Sequence, residues 1–169
     1  EAGLLETNNM RLACVVNGRT AYQIHNYLLH AGTGNFIFLP PGTPPPAGHH
    51  PHLAGKSGYC ELLNVQLYRD AVQCWLCSSE NKDHPSPHPE NYLVRNEKVV
   101  RLFQFAMEEA TCGEAGLPPL CENLMSSFFM LLLRELEAGR YMQICAKTGH
   151  ETPLRNHEDF ASQLREYIQ

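Results

Sequence analysis

Two changes of rhythm along the chain predict an α+β fold. Up to about position 80, short runs of β-branched and aromatic residues are punctuated by Gly, Pro and Asn; from Val99 onward, apolar residues recur at helical spacing. Between them lies Ser78 to Asn91, SSENKDHPSPHPEN, which is rich in proline and almost without apolar side chains, so a surface connection is expected there.

The strands are read in order. Met10 to Val16 runs into Asn17-Gly18, a two-residue hairpin signal, with Thr20 to Ile24 as the returning strand. Tyr27 to Leu29 is a further short strand, Ala31-Gly32-Thr33-Gly34 a turn, and Phe36 to Leu39 the next strand. Pro40 and Pro41 lack the amide hydrogen that a central ladder needs, so that strand should stop there. Gly42 can take a positive φ, and the prolines after it keep the chain extended. Tyr59 to Tyr68 and Ala71 to Cys77 complete a set of short strands that suggests a sandwich or small barrel.

Val99, Val100, Leu102, Phe103, Ala106 and Met107 form one apolar stripe, and Cys112-Gly113 to Pro118-Pro119 breaks it. A second helix is expected from near Pro119 to near Gly139, with Leu120, Leu124, Phe128, Leu131, Leu132 and Glu135 at helical spacing. Met125, Phe129, Met130, Leu133 and Leu136 flank that stripe, so the helix is apolar on more than one side. Such a helix is either buried between layers or shared with another chain. A partner subunit is the expectation, with Leu124, Phe128 and Leu131 as dimerisation residues. Lys147 to His157 reads as a linker, and Glu158 to Gln169 opens another helix through Phe160, Leu164, Tyr167 and Ile168.

With 169 residues, 43% of them hydrophobic, the chain can bury a sizeable core. No apolar run approaches the roughly 18 residues of a transmembrane helix. The opening residues show no basic-then-apolar signal pattern, so no membrane or secretory role is expected. A net charge of −5 argues against a nucleic-acid surface on these residues. The seven cysteines are odd in number and irregularly spaced, which fits reduced thiols in a cytoplasm.

The stretch Gly34 to Pro46, GNFIFLPPGTPPP, carries Gly34, Pro40 and Gly42 at the spacing of the second motif of the cupin barrels, with Pro45 where a metal-binding cupin has histidine. Together with the hairpin RLACVVNGRTAYQI and the final FASQLREYIQ, it makes residues 10 to 169 resemble the regulatory half of AraC/XylS-type transcription factors. The resemblance implies a cupin-like β barrel of jelly-roll type over residues 1–80, followed by an antiparallel helix pair over 81–146 that packs on the barrel and dimerises. Residues 147–169 would be a linker and the first helix of the DNA-binding half. The implied protein is a cytoplasmic, non-enzymatic homodimer that binds a small effector and controls DNA binding through a C-terminal helix-turn-helix domain outside these residues.

Metal chemistry at the usual cupin site is not expected. Aligning the earlier cupin motif on Gly18 puts Arg11 at the glutamate position and Leu5 and Thr7 near the histidine positions, and none of these replaces an imidazole or carboxylate. No cofactor is expected. The alternative is a small cupin enzyme or metal-binding sensor using His49, His50 and His52, and Cys74 and Cys77 with His84 and His88 superficially suggest zinc. Residues three apart on a strand face opposite sides, however, so packed strand cysteines are the simpler expectation. No catalytic triad or phosphate-cradling loop can be read; His25 and His30 read as turn residues and Glu108-Glu109 as a solvated helix surface. For an effector, Asn64, Gln66 and Tyr68 share one strand face, with Arg11, Tyr22 and Phe38 as additions and Arg11 able to pair with an anion. The other reading of that polar face is that it meets solvent.

Overall fold

The structure is a computed structural model that describes residues 10–43, 60–68, 70–79, 86–111, 117–145 and 165. Among these residues, seven strands and two helices follow in the order β1 (Arg11–Ile24), β2 (Tyr27–Gly32), β3 (Phe36–Leu39), β4 (Cys60–Tyr68), β5 (Ala71–Ser79), β6 (Ser86–Val94), α1 (Glu97–Thr111), α2 (Leu117–Glu137) and β7 (Met142–Cys145). All pairings are antiparallel, in the order β2-β1-β4-β5-β6-β7, with β3 also on β1. The expected α+β class is therefore found. Among the described residues the sheet stays open and does not close into a barrel.

The expected hairpin at Asn17-Gly18 does not form. β1 runs straight through it as a single strand, and the register against β4 shifts between Val15 and Asn17. Gly18 does take a positive φ of 87°, so the signal for a left-handed residue was sound, but it serves a bulge and not a turn. The Thr33 hydroxyl holds this site from the neighbouring turn: it accepts from the Gly18 amide at 3.0 Å and donates to the Gly18 carbonyl at 3.2 Å. The real turn is at His25-Asn26, with His25 at φ 52°. One long bent strand thus serves two neighbourhoods. Its first half lies between β3 and β4, and its second half pairs with β2.

The segment expected to be a surface connection contains β6 from Ser86 onward. β7 returns after both helices to pair with β6, so the helices are an excursion between adjacent strands. The sheet consequently extends past position 80, and a division there between barrel and helical element does not follow the architecture. Residues 147–164 and 166–169, where the linker and final helix were expected, lie outside the described residues.

Both helices cover one face of the sheet. Leu12, Cys14, Leu63, Val65, Val72, Cys74, Tyr92 and Val94 meet Val99, Phe103 and Ala106 of α1 and Met125, Phe128, Phe129, Leu132 and Leu136 of α2. Phe128 centres this layer, 5.1 Å from the Phe103 ring and 5.4 Å from that of Phe129. It is fully buried within one chain, which corrects its assignment to a subunit interface. Leu124 and Leu131 are only partly buried. α2 is apolar on two sides chiefly because it meets α1 and the sheet together. Each of its fully buried large side chains contributes about 1.5–3 kcal/mol.

The helix ends are capped locally. The Asn96 side-chain oxygen accepts from the Lys98 amide at 2.9 Å, satisfying a first-turn donor of α1. α2 ends at Gly139, whose φ is 69°, with Gly139 N donating to Leu136 O (3.1 Å) and Arg140 N to Glu135 O (2.9 Å), the paired bonds of a Schellman motif. The Arg140 guanidinium then grips the buried Glu135 carboxylate through two 2.8 Å bonds. That grip, chiefly, holds the Glu135 pKa below its ordinary value against the opposing effect of burial.

Candidate polar site on the sheet face away from the helices

On the face away from the helices, strand register sets residues into transverse rows. Arg11 lies between Leu39 of β3 and Gln66 of β4; Gln66 is opposite Gln73 of β5, and Gln73 is opposite Leu93 of β6. The next row is Ile37, Ala13, Asn64, Trp75 and Asn91. A strip of polar groups thus crosses the middle of the sheet with apolar residues at its edges, and all of these side chains are buried. Tyr22 and Cys60 join the same layer from the bulged region, beside Leu62.

The proline motif positions one of these groups. Pro40-Pro41-Gly42-Thr43 makes a turn in which the Thr43 amide donates to the Pro40 carbonyl at 3.1 Å and Gly42 takes φ 79°. Pro at the second position and Gly at the third suit a type II turn. The Thr43 hydroxyl also donates to the Pro40 carbonyl at 2.6 Å, leaving the Thr43 carbonyl to accept from Arg11 Nη2 at 2.6 Å. The turn after β3 therefore delivers a carbonyl to the guanidinium.

Other bonds order the strip. Gln66 Nε2 donates to Gln73 Oε1 at 2.9 Å, and Asn64 Nδ2 contacts Cys77 Sγ at 3.3 Å. Within the strip, Arg11 Nε and Gln66 Oε1 are buried and have no hydrogen-bond partner among the described residues. Burial pushes the Cys60 thiol up to about 11 and the Cys77 thiol up to about 12, and it raises the Tyr22 phenol further still. These neighbours are neutral at physiological pH. Burial lowers the Arg11 pKa, but a guanidinium keeps its proton in proteins. Among the described residues, no carboxylate forms an ion pair with Arg11.

Of the residues expected to bind an effector, Arg11, Tyr22, Asn64 and Gln66 are brought into this layer, and the polar face of β4 turns inward. Tyr68 follows Gln66 on the same face and is partly buried. Phe38 is not with them. It pairs with Leu12 on the helix-covered face and stacks edge-on with Phe36 at 5.8 Å, while Ile37 and Leu39 represent β3 in the site. Gln73, Trp75 and Asn91 escaped the sequence reading. A signal existed for the first two: β4 and β5 are close neighbours in sequence, and with Tyr68 opposite Ala71, counting back puts Gln73 beside Gln66 and Trp75 beside Asn64.

Cys74 packs on the helix side, while Cys77 lies opposite Leu62 on the other face, so the two thiols cannot share an ion. His49, His50, His52, His84, Leu5, Thr7 and Pro45 lie outside the described residues. His25 occupies a turn as expected, but His30 lies in β2 and is exposed. Among the described residues no helix is long and apolar enough to cross a membrane. Comparison with known proteins finds no matching family model, no matching curated protein and no matching solved structure.

Proposed function

We propose that this chain is the effector-sensing and dimerisation part of an AraC-type transcriptional regulator, with the sheet face away from the helices as its cupin-like, jelly-roll-type binding side. The carrying observation is the buried polar strip of Arg11, Asn64, Gln66 and Gln73, two of whose atoms lack partners. A fold has little reason to bury such groups for stability, since apolar residues of similar volume pack there at lower cost. Convergent polar groups among apolar walls are what a small ligand needs for orientation. Effector binding would favour one arrangement of sheet, helices and linker over another, in proportion to its different affinities for the two.

In this reading the protein is cytoplasmic and has no catalytic role. DNA is bound only by a C-terminal helix-turn-helix domain outside these 169 residues. The chain forms a homodimer along α2, where Leu120, Leu124 and Leu131 lie on one line of the helix and remain partly exposed. Two experiments test it. The natural sequence beyond Gln169 should contain two helix-turn-helix patterns, and a stop codon there sinks the regulator reading. A thermal-shift screen of sugars, aromatic acids and amino-acid derivatives should give a saturable stabilisation accompanied by a change in Trp75 emission; no response to any class overturns the effector role.

A further inference from the structure

Arg11 and Gln66 are direct cross-strand partners on β1 and β4, so their side chains rise from the same face of the sheet at neighbouring points. Arg11 Nε is a donor without an acceptor, and Gln66 Oε1 is an acceptor without a donor. The pair is therefore unsatisfied in complementary senses. Arg11 is 6% exposed and Gln66 fully buried, so bulk solvent does not satisfy them. A single bridging water would satisfy both atoms but would bring no negative charge to a guanidinium that no carboxylate among the described residues pairs with.

We propose that this position binds a small carboxylate carrying an O–H or N–H donor beside its carboxyl group, of which a 2-hydroxy acid is the simplest. This rests on the effector reading and names the chemical class of the ligand. The carboxylate accepts from Arg11 Nε and supplies the missing negative charge, and the adjacent donor bonds Gln66 Oε1. A neutral sugar leaves the charge unpaired, and a metal cation is repelled by it. The Thr43 carbonyl accepts from Nη2 and so holds the guanidinium in place, while Nε itself is left without an acceptor. Gln73 fixes the Gln66 amide from the other side through its 2.9 Å bond.

Trp75, the sole tryptophan, stands one row from Gln66 on the same face, so its emission reports occupancy directly. Glycolate, acetate and glycolamide are titrated into the intact chain at matched ionic strength. Glycolate is expected to bind saturably, acetate several-fold more weakly because it lacks the donor, and glycolamide about tenfold more weakly or worse because it lacks the charge. Arg11→Met should weaken glycolate about tenfold or more, and Gln66→Leu should abolish the preference for glycolate over acetate while acetate still binds. Arg11→Lys keeps the charge should Arg11→Met fail to fold, and it should retain weak binding of both acids. Glycolamide binding as well as glycolate, or glycolate binding unchanged in Arg11→Met, overturns the proposal. So does wild-type protein blind to all three probes. In each of these cases a neutral sugar or amino-acid derivative that still shifts Trp75 emission leaves the effector reading standing, and only silence across all classes removes both.

Discussion

The two faces of this sheet are built on opposite principles. Toward the helices, β1, β4, β5 and β6 present Leu12, Cys14, Leu63, Val65, Val72, Cys74, Tyr92 and Val94, and the interior they make with α1 and α2 is apolar. Toward the other side, the same strands, one residue out of phase, present Arg11, Asn64, Gln66, Gln73 and Asn91 among Ala13 and Leu62, and β3 adds Ile37 and Leu39. Both faces are buried, so exposure does not explain the difference. What differs is charge: among the described residues the helix side is held chiefly by close packing, although Gln143 Oε1 opposite Tyr92 has no hydrogen-bond partner, while the other side buries a guanidinium with no paired carboxylate together with the unpartnered Arg11 Nε and Gln66 Oε1. The first face is stabilised by packing, and the second buries a charge at a cost that the proposed ligand would offset.

The most damaging way to break this contrast is on the helix side. Phe128→Ala removes a fully buried ring that touches Phe103 and Phe129, and should cost about 3–5 kcal/mol in urea unfolding. A loss below about 1 kcal/mol would mean that α2 is not seated on the sheet as described. Next comes the clasp at the end of α2. Glu135→Leu removes a carboxylate gripped by Arg140 and bonded to Asn96 at the start of α1, and should cost about 1.5–3 kcal/mol. Because the Glu135 pKa is lowered in the folded state, its contribution is present above the ordinary value of 4.5 and is lost as pH falls through the lower folded value. The difference in stability between wild type and Glu135→Leu should therefore shrink in acid. A difference that stays constant from pH 7 to pH 3 contradicts the clasp.

A smaller effect is expected where β1 bends between its two neighbourhoods. Gly18→Ala places a Cβ on a residue at φ 87°, which should cost about 1 kcal/mol through backbone strain. Asn17→Ala, one residue away and exposed, should be nearly silent. Equal effects at the two positions would show that the bulge does not depend on glycine.

The contrast between faces was only partly legible in the sequence, and the reasons are physical. Helical periodicity from Val99 and the caps around Gly139 marked both helices well, because their signals are local. The course of β1 was misread because Asn17-Gly18 has the chemistry of a tight turn and of a bulge alike; the choice depends on β4, distant in sequence, pairing across it. β6 was missed because Pro87 and Pro89 argue against a central strand. Their position resolves the conflict, since among the described residues β7 pairs with Glu90 to Leu93 and not with the proline end of β6. The polar strip was half legible: alternation along β4 grouped Asn64 with Gln66, whereas assigning Phe38 needed the register of β3 on β1, which places Ile37 and Leu39 in the site.

The finest test of the contrast uses the glutamine pair, where the expected net effect is close to nothing. Gln66→Leu alone removes the donor that Gln73 Oε1 now accepts from, leaving a buried acceptor exposed to nothing polar, and should cost about 1–3 kcal/mol. Gln73→Leu alone should cost a similar amount by stranding Gln66 Nε2. The double replacement removes both partners together, and also the unsatisfied Gln66 Oε1, so it should recover most of the loss or exceed the wild type. Unfolding curves of the four proteins give the coupling directly. Recovery in the double variant means that this bond contributes no net stability and that the pair is there for what it can bind. If the double variant instead loses the sum of the single losses, the polar strip is a structural device after all, and the two faces differ in composition but not in purpose.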